Sequence, residues 1–180
     1  SRMDLFFDLL RSVIYGVIEG ITEWLPISST GHMILAEQVL KFSFSAEFME
    51  MFRVVIQLGA ILAVVVMYSK KLWTFCVDNG LVACLPAAVL GLALDDWIDA
   101  HFYNSVVVAV MLIVYGIAFI LIERRPRVPT TTKLSRITYR QALIVGAWQV
   151  LALIPGTSRS GATILGGLLC GMSRACASQF

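Results

Sequence analysis

Val106 to Ile122 reads Val-Val-Val-Ala-Val-Met-Leu-Ile-Val-Tyr-Gly-Ile-Ala-Phe-Ile-Leu-Ile without one charge and stops abruptly at Glu123-Arg124-Arg125-Pro126. A run of this length and composition satisfies its backbone as a helix and its side chains in hydrocarbon, which restricts the fold to one built across a bilayer. The whole chain agrees, since 58% of its 180 residues are hydrophobic and only 14% are charged. That leaves too little polar surface to cover a soluble domain. The expected fold class is therefore an all-α integral membrane protein.

Other spans follow from the same pattern. Phe52 to Tyr68 is a candidate span carrying Gln57 and ending in Lys70-Lys71, and Leu81 to Ile98 is another, interrupted by Pro86. Lys41 to Glu50 reads as a polar-aromatic connection, Asp95, Asp96 and Asp99 with His101 as an acidic solvated loop, and Arg127 to Arg140 as a basic solvated linker. The domain plan is a single membrane domain over 1–180, with a first re-entrant hairpin at 1–50, three transmembrane helices at 51–122, a basic cytoplasmic linker at 123–140 and a second re-entrant hairpin at 141–180. Lys70-Lys71 and Arg124 to Arg140 share one side and the aspartates the other, which makes the basic side cytoplasmic and places the first hairpin on the outer side; Arg2 and Arg11 pull mildly the other way. Net charge is +2, with the basic residues in short clusters, so nucleic acid is not an expected partner. Cys76, Cys84, Cys170 and Cys176 lack paired spacing and read as small core residues. The apolar run Val13 to Ile18 is interrupted by Glu19 with no small-residue cleavage site after it, unlike a cleaved leader.

Against this background Glu19 to His32 stands out: Glu-Gly-Ile-Thr-Glu-Trp-Leu-Pro-Ile-Ser-Ser-Thr-Gly-His. Glu19 and Glu23 are four apart, one turn above the other on a helix that Pro26 ends. Leu5, Leu9, Val13, Val17 and Ile21 form an apolar stripe on the same helix, and Ser28 or Ser29 is placed to cap the next. Singly, hydroxyls before an apolar run are caps far more often than nucleophiles, and a lone histidine is usually structural. Together in a membrane they read differently, because an ionised side chain at the bilayer centre costs about 2.5–3.5 kcal/mol. Two glutamates on one face need a cation, a basic partner or a water-filled site. Met33 to Leu40 is too short to cross a ~30 Å core at 1.5 Å per residue, so the two helices are expected to dip in and return.

A shift of 130 residues aligns Gly16 with Gly146, Glu19 with Gln149, Ser28 with Ser158, Thr30 with Ser160, Gly31 with Gly161, Ile34 with Ile164 and Leu35 with Leu165. Pro26 and Pro155 fall one position off this register. Such self-similarity indicates an internal repeat, and three intervening spans invert it, so the hairpins would meet near the midplane. The second tip, Pro155-Gly156-Thr157-Ser158-Arg159-Ser160-Gly161-Ala162-Thr163, has the physics of an anion site. Its glycines let the backbone approach a ligand, the next helix offers free N–H groups, and Arg159 adds a fork of donors suited to phosphate. An ion pair from Arg159 to Glu19 or Glu23 is expected in the free site.

These two motifs resemble the undecaprenyl-diphosphate phosphatases, also called bacitracin-resistance proteins, and the resemblance covers nearly the whole chain. It implies hydrolysis of the lipid diphosphate to the monophosphate, which recycles the carrier for cell-wall synthesis in the bacterial inner membrane. The resemblance and the chemistry assign catalysis to Ser29, His32, Glu19, Glu23 and Arg159, with Glu19 and Glu23 also holding a divalent cation, Mg2+ or Ca2+. Ser28, Thr30, Gly156, Ser158, Ser160, Gly161 and Thr163 are assigned to substrate binding. Ser29 as nucleophile with His32 as its base or as the leaving-group acid, and water activated directly by His32, both stay open. The family continues through further spans, so the second repeat is expected to be truncated here and the 180 residues alone to bind or turn over poorly. The rival from another class is a polyprenyl-phosphate carrier or transporter without hydrolysis. A homodimer is allowed on general grounds. Gln57 and Gln149 either line the site or hydrogen-bond between helices, with the structural role favoured for Gln57, and Trp24, Trp73, Trp97 and Trp148 are read as packing or interfacial anchors.

Overall fold

The computed structural model describes residues 2–75, 79–125 and 127–180, which leaves Cys76 and Pro126 outside the described residues. Among the described residues eight α-helices follow one another: α1 Arg2–Thr22, α2 Ser29–Leu40, α3 Ala46–Phe75, α4 Leu81–Phe102, α5 Ser105–Glu123, α6 Tyr139–Val150, α7 Arg159–Leu169 and α8 Arg174–Gln179. No strand forms among the described residues; Thr131 and Met172 make one isolated bridge. The all-helical expectation holds. Two helices, α3 over Ala46–Lys70 and α5, are long and apolar enough to cross a membrane, and α4 becomes a third when its bent halves count as one span.

Helix α1 is inside out by the standards of a soluble protein. Its buried residues are Asp8, Tyr15, Glu19 and Thr22, spaced to fall on one face, while Leu5, Leu9, Val13, Val17 and Ile21 are each more than half exposed. Polar groups thus turn toward the other helices and the apolar stripe turns outward. Each inward polar group is partnered locally where it can be: Asp8 accepts from the Ser43 hydroxyl and from Arg11 at 3.1 Å. The Tyr15 hydroxyl donates to Glu37 of α2, which also accepts from Arg53 of α3 at 2.5 Å. This chain of bonds ties α1, α2 and α3 around the Tyr15, Met33 and Met49 cluster.

Three stretches differ from the sequence reading. The acidic stretch is helix, because α4 runs through to Phe102 with a 74° bend between Leu81–Leu94 and Asp96–Phe102. There His101 bonds the Trp97 carbonyl at 2.8 Å and stacks on the Trp97 ring. The connection after α2 is shorter than expected, since α3 already starts at Ala46. The basic linker is exposed at most positions, as expected, but it is pinned to the turn after α7. The Thr130 and Thr131 N–H groups donate to the Gly171 carbonyl at 2.9 and 3.1 Å, Ser173 N–H donates back to Thr131 at 2.8 Å, and Arg127 reaches the Leu168 carbonyl at 2.9 Å. Gln141 completes the clamp by closing a capping box with Thr138 while its amide donates to Thr131 and to the Cys170 carbonyl.

Helix α6 packs on α4 where Gly146 faces Ala83; a Cβ at that position would lie 2.3 Å from the Ala83 carbonyl oxygen. Trp148, two residues on and so facing the other way, packs against the Tyr115, Ala162 and Leu165 cluster that joins α5 to α7, whereas Trp24, Trp73 and Trp97 are exposed. Cys176 is buried beside Ile137, Val145 and Met172, as a small core residue should be, but Cys84 is exposed. Helices α1 with α2, and α6 with α7, pack as two helix–turn–helix units.

Candidate active site

The first tip grows out of the inward face of α1. Glu19 is 4% exposed, and its Oε1 is buried with no hydrogen-bond partner. One turn on, past the end of α1, Glu23 still bonds back through its N–H to the Glu19 carbonyl at 2.9 Å. The chain then turns through Pro26, which cannot continue the helix. Ser28 caps α2, its Oγ accepting the Gly31 N–H at 3.2 Å, and it does so at a φ of 64°. That is the left-handed region, uncommon for a residue with a Cβ. Ser29 follows, and its hydroxyl donates to Glu23 Oε2. His32 Nδ1 lies 2.7 Å from the Ser28 carbonyl. A carbonyl can only accept, so Nδ1 carries the proton and Nε2 is the free nitrogen. The acceptor for Ser29 in this geometry is Glu23 rather than His32.

The second tip uses the same cap with a longer approach. Ser158 Oγ accepts the Gly161 N–H at 3.0 Å, matching Ser28 and Gly31 in the 130-residue register. Here the cap residue has an ordinary φ of −70°, and the left-handed turn falls on Gly156 at 91°. The proline offset explains the difference: the second turn holds one residue more between proline and cap, and a glycine takes the positive φ that the shorter first turn forces onto Ser28. Gly156 also lies flat on α5, where a Cβ would sit 2.7 Å from the Val108 carbonyl oxygen.

The two tips meet. A Cβ on Gly31 would lie 3.2 Å from Gly156 Cα, and one on Gly161 would lie 3.2 Å from the Pro26 carbonyl oxygen. Between them is a cavity of 190 Å3 lined from one side by Glu23, Ser28, Ser29 and Thr30, and from the other by Ser158, Arg159 and Ser160. Arg159 is exposed and forms no ion pair among the described residues, so the expected link to Glu19 or Glu23 is not made. The guanidinium is left available at the cavity edge. His32 lines a second cavity of 480 Å3, shared with Gly156 and Ser158 but walled mainly by Pro26, Ile27 and the Leu112, Tyr115 and Phe119 side chains of α5.

Not every expected residue joins the cavities. Glu19 borders neither, and the Thr163 hydroxyl is spent inside α7 on the carbonyls of Arg159 and Ser160 at 3.2 and 3.0 Å. Gln57 lines the polar cavity, the alternative to the structural role favoured for it from the sequence. Its signal was visible in the sequence as a lone amide in an apolar span. Arg174, which lines the larger cavity and pairs with Glu123 at 3.1 Å, carried no such signal because it belongs to neither motif.

Among the described residues no three metal-ligating side chains cluster. Glu19 and Glu23 nonetheless fit a hard divalent cation: both offer carboxylate oxygens, and the buried Glu19 Oε1 accepts from nothing in the protein. Two protein carboxylates suit an ion that keeps water and phosphate oxygens in its remaining positions.

Comparison with known proteins identifies the family. Residues 12–180 match the family described as Bacitracin resistance protein BacA. A protein named undecaprenyl-diphosphatase from Enterococcus faecalis is 59% identical over 98% of this chain and 70% of its own length. Proteins of the same name from Streptococcus sanguinis and Acetivibrio thermocellus are 57% and 51% identical, each over 96% of this chain and over 68% and 70% of their own lengths. With both tip motifs intact inside the matched region, the chain belongs to the BacA bacitracin resistance protein family.

Proposed function

We propose that this chain hydrolyses undecaprenyl diphosphate to undecaprenyl phosphate and inorganic phosphate, as a multi-pass enzyme of the bacterial inner membrane that recycles the lipid carrier of cell-wall synthesis. The observation that carries the reading is the polar cavity between the tips, where carboxylate, hydroxyl and guanidinium groups from distant parts of the sequence face one another. Phosphoryl transfer chiefly needs this kind of positioning and charge neutralisation.

In the proposed reaction Arg159 and the free N–H groups that begin α7 hold the terminal phosphate. Ser29 Oγ attacks its phosphorus and passes its proton to Glu23, the group its hydroxyl already meets. The phosphoanhydride P–O bond breaks and undecaprenyl phosphate leaves. Water then attacks the phosphorus of the serine phosphoester, giving up a proton to His32 Nε2, the nitrogen not bound to the Ser28 carbonyl, while the P–Oγ bond breaks, Ser29 Oγ takes its proton back from Glu23 and inorganic phosphate is released. Ser28, Thr30, Gly156, Ser158, Ser160 and Gly161 shape the tips around the phosphates, and Thr163 supports them from within α7. Glu19 and Glu23 would hold Mg2+ or Ca2+, which when bound supplies neutralisation of phosphate charge. The isoprenoid would run along apolar helix surface toward lipid.

The same reading takes the two helix–turn–helix units as re-entrant hairpins of an inverted repeat with basic residues on the cytoplasmic side. It is supported by the matched caps and by the lengths of α2 and α7, 12 and 11 residues, which span only about 16–18 Å.

The test is phosphate release from undecaprenyl diphosphate in detergent with and without divalent cation, beside Arg159→Ala and Glu23→Ala. Cation-dependent release that falls roughly 100-fold or more in both variants is expected. A folded chain that binds the lipid but releases no phosphate would instead make it a carrier.

A further inference from the structure

Thr157 immediately precedes the cap of α7, and its hydroxyl is a polar group of the second tip with no structural task. The residue is 6% exposed, and Oγ1 is buried without a hydrogen-bond partner. Its side chain borders the 190 Å3 cavity between the tips, on the same wall as Ser158, Arg159 and Ser160. Of the neighbouring hydroxyls, those of Ser158, Ser160, Thr163 and Ser29 are engaged, and Thr30, on the opposite tip, is the other one that lines the cavity. Ser158 accepts from Gly161 and lies 3.2 Å from the Ser160 hydroxyl, Thr163 donates to helix carbonyls, and Ser29 donates to Glu23.

The backbone around Thr157 is held on both sides. Gly156 lies against Val108, and the Thr157 N–H donates to the Ile154 carbonyl at 3.1 Å. With the backbone held and the residue 6% exposed, the hydroxyl is kept from turning to solvent. Burying an unpartnered hydroxyl is unfavourable, and valine would fill the same volume without that cost. A ligand oxygen in the cavity resolves the conflict. Arg159 at the same wall makes an anionic oxygen the acceptor that the site's charge selects.

We propose that Thr157 is a further substrate-contacting residue, whose hydroxyl donates to a non-bridging oxygen of the terminal phosphate held between the tips. This rests on the hydrolase reading and adds to it a donor beyond the charged and capping groups. Thr157 makes no bond to phosphorus; it orients the group that Ser29 attacks.

The experiment compares Thr157→Val, Thr157→Ala and Thr157→Ser in the full chain by three readouts: phosphate release from undecaprenyl diphosphate, binding of inorganic phosphate followed by 31P NMR, and thermal unfolding in detergent. Expected are a drop in kcat/KM of roughly 10- to 100-fold and weaker phosphate binding in Thr157→Val and Thr157→Ala, with Thr157→Ser within about threefold of wild type. Unfolding of Thr157→Val should be no earlier than wild type. A Thr157→Val chain with wild-type turnover and phosphate binding overturns the contact and leaves the hydrolase standing, as does activity loss that only follows an earlier unfolding in all three variants. A wild-type chain that binds phosphate through Thr157 but cleaves nothing keeps the contact and overturns the hydrolase. Neither binding nor release by the wild-type chain overturns both.

Discussion

At the scale of single residues, Ser28 and Ser158 form a natural comparison, because they make the same cap in different backbone conformations. Replacing a capping serine with alanine costs about 0.5–2 kcal/mol, whereas glycine costs only a few tenths. Ser28 carries an additional penalty of about 1 kcal/mol for its left-handed φ of 64°, which glycine would remove. Ser28→Gly should therefore leave thermal stability unchanged or raise it by up to about 1 kcal/mol, while Ser28→Ala lowers it and Ser158→Gly, at φ −70°, gains nothing. If the held conformation serves to present Ser29 to Glu23, Ser28→Gly should lose activity without losing stability. Equal behaviour of Ser28→Gly and Ser158→Gly in detergent unfolding would remove the argument. The tip residues were legible in the sequence because polar groups in an apolar chain need a reason. Their pairing was not, since Ser29 and His32 at i and i+3 are as plausible by spacing as the observed Ser29 and Glu23, and only the turn through Pro26 decides between them.

At the scale of elements, the matched glycines of the repeat carry opposite expectations. Gly146 lets α6 approach α4 so closely that a Cβ would sit 2.3 Å from a backbone oxygen, while a Cβ on Gly16 of α1 would meet nothing within 4 Å. Gly146→Ala must push two helices apart and should cost roughly 1–3 kcal/mol as an overpacked contact. Gly16→Ala removes a poor helix former from an open face and should stabilise by up to about 1 kcal/mol. Unfolding midpoints of the two variants measured side by side check this, and a Gly146→Ala chain as stable as Gly16→Ala would refute the tight α4–α6 contact. The matching caps could be read from sequence, because Ser28 with Gly31 and Ser158 with Gly161 keep their spacing. Two other elements could not. The aspartates of α4 read as a loop because charge marks solvent, yet charge does not break a helix, and α4 bends rather than ends there. The pinning of the basic linker was not legible because the groups that hold it, the Gly171 and Leu168 carbonyls, lie some forty residues further along the chain.

At the scale of the whole molecule, the arrangement makes sense only with hydrocarbon as the outer solvent. On α5 the buried residues are Val108 and Tyr115, and the rest of the helix turns Val106, Val110, Ile113, Ile117 and Leu121 outward. In water, exchanging an exposed isoleucine for lysine on a helix surface usually changes stability by no more than about 0.5 kcal/mol. In a bilayer the same exchange near the helix centre costs about 2.5–3.5 kcal/mol, and the cost fades toward the ends where lysine can reach the interface. Ile113, 63% exposed at the middle of α5, and Leu121 near its end are the positions that separate these cases. Ile113→Lys should reduce membrane integration of α5, read with a translocation reporter fused after Arg125, by a factor of roughly 50 or more in the integrated-to-translocated ratio. Leu121→Lys should change it much less, and Ile113→Leu not at all. Equal integration of Ile113→Lys and Leu121→Lys would mean that α5 is not centred in the bilayer, and the meeting point of the two tips, which packs on Val108 of the same helix, would then have to be moved with it.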